Sequence, residues 1–360
     1  RRGAGMSTID RYLIRAILGG VFTTMAVLLS LGALFVLMGE QDDVGVGNFS
    51  TWDAVIFTAL NLPQQAWELL PISALIGSLV GLGALARGSE LTILRAAGFS
   101  VWRIARAATI AGLLLTLLAA VLGEFLGPPM QQFARQQKAF SKYADLSLRG
   151  TGDAWVRDGD LIINVERQTG DAQFGGMVIY ELDDQFRLRA LGRAAAASTL
   201  EDGRWTLEQY TESRFGEDRV AVNRTARREL RSAVSAEFLG IAASSPDELP
   251  ATDLWQMIRH LEQNNLDANP ARFALWSRVA RTVATVFAVL LALPFLFGSL
   301  RAADSGTRLA FGLVIGIGLF VLQRGLESGA VVFNGNPVLF AWFPTLLMAA
   351  VAIGLIARTR

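Results

Sequence analysis

AILGGVFTTMAVLLSLGALFVLMG, residues 16–39, runs through 24 positions without a charged side chain. As a helix rising 1.5 Å per residue it would measure about 36 Å, more than the roughly 30 Å hydrocarbon core of a bilayer. A removable signal peptide is the competing account, but such apolar runs are shorter, and no Ala-x-Ala cleavage site follows. A retained helix is expected. Five further apolar stretches lie at 69–86, 107–123, 279–300, 309–322 and 337–357. They complete a three-plus-three arrangement around a polar insert of residues 128–268. The expectation is a helical membrane protein with six transmembrane helices. Helices 1–3 fall in 6–127 and helices 4–6 in 269–360.

Composition agrees: 52% of the residues are hydrophobic and the mean hydropathy is +0.38. The net charge of +1 conceals a pattern. Arg11 and Arg15 precede the first stretch, and Arg87, Arg95, Arg103 and Arg106 follow the second. Arg301 and Arg308 flank the fourth connection, while Arg358 and Arg360 close the chain. The loop after the first stretch holds Glu40, Asp42, Asp43 and Asp53 and no basic residue. Basic residues stay on the cytoplasmic side. Both termini are therefore expected inside and the insert outside.

Within the insert, hydropathy alternates with period two. Asp158-Gly159 joins a run ending at Val156 to residues 161–165, and Asp202-Gly203 precedes 205–210. Asp-Gly between alternating runs marks a hairpin, since glycine accepts a positive φ. Segments 177–182 and 186–191 add strands, and an all-β sandwich, jelly roll or barrel is expected. Helical linkers at 130–143, after Pro128-Pro129, and 252–261, with Leu254, Ile258 and Leu261 on one face, would join it to the membrane.

Several chemistries are excluded. There is no cysteine, and His260 is the sole histidine, so neither disulfides nor a thiolate or histidine metal cluster can form. The only lysines, Lys138 and Lys142, follow Gln137 and Ser141, so the Gly-Lys of a phosphate-binding loop is absent. No G-x-S-x-G or H-E-x-x-H motif occurs, and no catalytic residue is assigned. Any energised work must draw on a partner. No nucleic-acid partner is expected. A self-sufficient secondary transporter would carry more ionisable residues inside its spans.

Between the second and third stretches, residues 89–98 read SELTILRAAG. Ser89 is positioned to cap a short helix over 90–97, Glu90 suits its positive end, and Gly98 would stop it. Such a helix between two spans is a handle on which a cytosolic protein could push. This block resembles the coupling-helix region of the YjgP/YjgQ permease family, membrane subunits of a lipopolysaccharide exporter. Asp10-Arg11-Tyr12, Gly123-Glu124 with Ala134-Arg135, Phe297-Gly298-Ser299-Leu300-Arg301 and the overall layout extend the resemblance along the chain. The Arg-Gly-Ser-Glu-Leu wording at 87–91 favours one of the family's two paralogous subunits over the other.

The resemblance implies an inner-membrane ABC-transporter permease with a periplasmic jelly-roll-like domain over 128–268. It implies pairing with the paralogous permease, a dimeric cytosolic ATPase that uses ATP and Mg, a single-span accessory subunit and a periplasmic bridge protein. This chain itself would hold no cofactor. Glu90 is then the acid that meets a basic residue of the ATPase, with Leu91, Leu94, Arg95 and Gly98 in the same coupling block. A plain helix-start carboxylate would account for Glu90 too.

Arg135 and Lys138, at i and i+3, match positions that contact lipid phosphates in the family; interfacial anchoring is the alternative. The family is basic after the first span, where this chain has Gln41, Asp42 and Asp43. The missing cations are sought at Arg272, Arg278 and Arg281, near Trp276, although snorkelling to headgroups would explain these as well. Asn61, Gln64, Gln65 and Glu68 form a stripe that would face a wet cavity or sit above the membrane, on a helix that Pro63 and Pro71 are expected to kink. Arg324 and Glu327, at i and i+3, are expected to pair near cavity depth. Gly77-x-x-x-Gly81 and Gly312-x-x-x-Gly316 permit close helix contact, within the chain or with a partner. A membrane receptor or scaffold that moves nothing is the rival function.

Overall fold

The computed structural model describes residues 7–143, 154–170, 173–183, 185–200, 204–216, 219–232, 234, 238–239, 241, 245–297 and 335–358. Between 298 and 334 it describes only 306–307, 310–311, 314–318, 321–322 and 325–326, all helical. The chain forms two compact units: residues 1–39, 58–131 and 272–360, and residues 40–57 and 132–271.

Five of the apolar stretches form helices, four of which begin well before the apolar run: α1 (Thr8–Gly39), α2 (Thr51–Arg87), α4 (Val101–Val121), α7 (Asn269–Phe297) and α8 (Pro337–Arg358). Among the described residues these five helical segments are long and apolar enough to cross a membrane. Of the stretch 309–322, residues 310–311, 314–318 and 321–322 are described, and all of them are helical. Pro63 and Pro71 both lie inside α2, whose 37 residues span about 55 Å. Short α3 (Glu90–Ala96) bridges α2 and α4.

Lipid gives apolar side chains no reason to leave it, so close packing must hold such helices together. The first unit accordingly uses small residues. Ala107, Ala108, Ala111 and Gly112 on α4, and Ala288 and Ala292 on α7, are buried in a core with Leu13, Ile17, Leu75, Leu79 and Met348. At the α1–α2 crossing, a Cβ on Gly20 or Gly77 would run into backbone of the opposite helix, and one on Gly81 would meet Ala16. The Gly77–Gly81 motif therefore packs within this chain. Gly316 packs against Ile72; Gly312 lies outside the described residues.

Beyond α4 the helix continues through a π turn (Leu122–Leu126) into α5 (Gly127–Tyr143). The cause is Pro128-Pro129, which have no N–H to donate one turn back. The chain widens instead, and Gly127 N–H reaches Leu122 O.

In the second unit, β1 (Ala154–Asp158), β2 (Leu161–Gly170), β3 (Gln173–Leu182), β4 (Leu188–Leu200), β5 (Arg204–Phe215) and β6 (Val220–Arg231) form one antiparallel sheet in sequence order. Asp158 pairs with Leu161 across a tight turn where Gly159 has φ +59°. Val156, Ile163, Met177, Ile179, Ala194, Trp205 and Leu207 bury one face together with Val234 and Leu239. The Trp205 indole donates to Val234 O at 3.0 Å. In β5 alternation breaks at Gln209, φ +50°, which has no cross-strand register partner among the described residues; burial resumes at Tyr210 and Glu212. The segment expected at 186–191 starts two residues later, because Phe186 takes φ +59° in the turn before β4. Helix α6 (Ala251–Gln263) buries Leu254 and Ile258 of the expected face, and Leu261 is half-buried.

Candidate functional site

The loop helix is shaped by its ends. Ala97 and Phe99 donate backbone N–H groups to Ile93 O and Leu94 O at 2.9 and 3.0 Å, and Gly98, φ +88°, donates to Arg95 O at 3.0 Å. This is a glycine-terminated helix end, as expected of Gly98. Ser89 does not cap the start: it takes φ +61° and its side chain makes no capping hydrogen bond. Only Gly88 and Ser89 separate α2 from α3, and so short a turn denies Ser89 the extended backbone that capping requires. Leu91 is buried and Leu94 half-buried, whereas Glu90, Thr92, Ile93 and Arg95 face outward. Ile93 is 64% exposed, an apolar side chain offered to the surroundings.

Two contacts join this loop to the start of α1. The Tyr12 hydroxyl donates to Glu90 Oε2 at 2.8 Å. Asp10, 1% exposed, exchanges hydrogen bonds with Ser7 and holds two arginines of α4, Arg106 Nη2 at 3.2 Å and Arg103 Nε at 3.9 Å. Arg95 lies over the Phe297 ring at 5.6 Å. In the sequence, Asp10 and Tyr12 stand out only through the resemblance. The Ser7-x-x-Asp10 spacing, a capping arrangement, was the signal for an anchored helix start.

A second cluster in the first unit gathers around Trp67 of α2. Its indole N–H donates to Thr282 Oγ1 at 3.3 Å, and the Arg278 and Arg281 guanidinium carbons stand 4.6 and 5.0 Å from its ring. Arg278 Nε donates to Glu124 at 3.1 Å, and its Nη2 donates to Gly123 O. The π turn makes this possible: with Gly127 N–H on Leu122 O, the Gly123 carbonyl is released from the helix. Of the polar stripe, Asn61 and Gln64 are buried, and Gln64 Nε2 donates to Glu68 Oε1 at 3.1 Å. The Oε1 atoms of Gln64 and Gln65 are buried without a hydrogen-bond partner among the described residues. Arg324 and Glu327 lie outside the described residues.

The second unit holds Arg135 and Lys138, each against carboxylates. Arg135 pairs with Glu248. Lys138 Nζ sits 2.6 Å from Glu40 and 2.8 Å from Asp43, with the Phe57 and Phe49 rings at 4.9 and 5.9 Å. Burial alone would lower the Lys138 ammonium, but the hydrogen bonds and charges of Asp43 and Glu40 outweigh it and raise it above the ordinary lysine value. The acidic departure after the first span thus supplies counter-ions to Lys138. Arg135 and Lys138 use different partners despite their i, i+3 spacing. Arg278 and Arg281 converge on one ring.

The family described as lipopolysaccharide export system permease LptF/LptG matches residues 11–358. The lipopolysaccharide export system permease protein LptG of Haemophilus influenzae is 33% identical over 359 residues, covering 99% of each chain. Escherichia coli K12 LptG is 28% identical over 97% of this chain and 98% of its own. The paralogous LptF of the same strain is 24% identical over 96% and 93%. A match from Arg11 to Arg358, spanning membrane helices and sheet alike, establishes that the chain belongs to the LptF/LptG family of lipopolysaccharide export permeases.

Proposed function

We propose that this chain is the LptG-type subunit of an ATP-driven exporter that extracts lipopolysaccharide from the bacterial inner membrane. In this reading the stretch 309–322 is a sixth span, both termini are cytoplasmic, and residues 128–268 form a periplasmic jelly-roll-like module. An LptF-type permease completes the membrane cavity. A separate cytosolic ATPase dimer binds and hydrolyses ATP with Mg, a single-span subunit stands beside the cavity, and a periplasmic bridge receives the lipid.

The observation that carries the reading is α3: seven helical residues anchored by Leu91 and Leu94, with Glu90, Ile93 and Arg95 outward. A helix held on its inner face and exposed on its outer one can transmit a push while staying rigid. Glu90 offers a charge to a basic residue of the ATPase, and Ile93 offers apolar area. Arg135, Lys138, Arg278 and Arg281 would meet phosphates of the passing lipid by exchanging their present carboxylate and ring contacts for phosphate oxygens, which bind guanidinium bidentately.

The test is Glu90→Lys in the assembled complex, reconstituted with lipopolysaccharide and ATP. Export is expected to fall at least tenfold with the complex intact, and charge reversal of the facing ATPase residue is expected to restore part of it. Full export by Glu90→Lys, or export without a nucleotide-hydrolysing partner, would refute the proposal.

A further inference from the structure

Helices α4, α7 and α8 form an open groove of about 330 Å³ within the first unit. Its walls are Thr109 and Ile110 of α4, Leu290 of α7 and Ile353 of α8. Trp102 and Arg106 line it one to two turns nearer the start of α4. Thr109 spends its hydroxyl on Ala105 O, so the wall it presents is essentially hydrocarbon. An apolar groove on a membrane-spanning surface favours hydrocarbon over water. Hydrocarbon suits it.

The Trp102–Arg106 end has a different character. Trp102 is 63% exposed, in the manner of the aromatic side chains that mark membrane–water boundaries. The Arg106 side chain is 64% exposed and shares Asp10 with Arg103, so two guanidinium groups meet one carboxylate and leave an excess positive charge. A guanidinium has five N–H donors, and the contact to Asp10 occupies only part of that fork. Arg358, exposed in the last turn of α8 just beyond Ile356, adds a further cation to α8.

From this juxtaposition we infer that the α4–α7–α8 groove is a binding site for an anionic glycerophospholipid, one acyl chain in the groove and its phosphodiester against Arg106. Basic pockets between membrane helices recognise such headgroups by the same combination of charge and grease. The site requires only that the helices lie in a bilayer, so it stands whether or not the export reading does. The groove takes one chain, so a two-chain phospholipid leaves one chain in the surrounding bilayer, whereas a many-chained exported lipid would leave most of its chains there.

Native mass spectrometry of the full chain in detergent tests this, with phosphatidylglycerol or phosphatidylcholine of the same chains as probe. One phosphatidylglycerol is expected to be retained with about fivefold preference, the worth of one arginine near an anionic headgroup. Arg106→Gln should erase the preference. Thr109→Phe, which fills the groove and leaves every charge in place, should remove the retained lipid; it also decides the matter if Arg106→Gln unfolds. Equal retention of both lipids, unchanged retention in Thr109→Phe, or displacement by equimolar lipopolysaccharide would each overturn the inference.

Discussion

Tyr12 and Glu90 are 78 residues apart in sequence and joined by one hydrogen bond. The phenol takes Oε2 and leaves Oε1 for an incoming cation, so it orients the carboxylate that the proposed ATPase would grip. Tyr12→Phe is expected to weaken ATPase binding about fivefold, corresponding to about 1 kcal/mol for a hydrogen bond to a charged group near solvent. The melting temperature of the chain should not move. Unchanged affinity by titration of the purified ATPase would remove this role. Arg278 behaves differently because it is 6% exposed and its charge is matched by Glu124. Arg278→Leu should cost about 3 kcal/mol by withdrawing the cation from that carboxylate, and adding Glu124→Gln should recover most of it. Thermal unfolding of the single and double variants measures both. At this scale the residue types were legible but their company was not. Lys138 and Arg278 announced cations, yet only the fold revealed that Glu40, Asp43 and Glu124 answer them.

Among the elements, the membrane helices were legible because an uncharged run of that length has few other homes. Their true lengths were not, since polar ends such as Thr51–Glu68 of α2 carry no uninterrupted apolar signal. Strand β6 escaped notice for a related reason. Residues 220–227 are exposed on both sides, so no alternation betrays them, and the arginines 224, 227, 228 and 231 interrupt any apolar run. The α1–α2 crossing offers a sharp contrast between neighbours. A Cβ at Gly20 meets the backbone of Gly77 and Gly81, whereas one at Gly19 meets nothing within 4 Å. Gly20→Leu is expected to destabilise by about 3 kcal/mol or more through forced separation of the helices, and Gly19→Leu to be neutral or slightly stabilising. Comparable melting curves for the two would contradict the crossing.

For the molecule as a whole, the two units answer to different solvents. The sheet unit contains the one histidine of the sequence, His260, half-buried against Phe238 with ring centroids 4.2 Å apart. Burial lowers the His260 imidazole below its ordinary value, and a hydrogen bond to the Arg157 backbone and the charge of Asp158 only partly oppose it. The unfolded chain therefore binds the proton more readily than the folded one. Stability of the sheet unit should fall as pH drops below about 6.5, and His260→Gln should flatten that fall. Amide exchange over residues 154–263 at pH 7.5 and 5.5 checks the sign. Overall architecture was the most legible level: apolar helices flanking a β insert follow from hydropathy alone. Strand order and the carboxylate partners depend on contacts between distant residues, which no local pattern encodes.

The seven residues of α3 fall short of the dozen or more that a free helix needs to persist in water. Its shape is borrowed from α2 and α4, which clamp both ends. A synthetic peptide copying residues 88–99 would consequently start as coil, and as a competitor for the proposed ATPase it would forfeit most of its affinity to ordering. A hydrocarbon staple across the outward positions would block the proposed docking surface; one across Leu91 and Leu94 would preserve it.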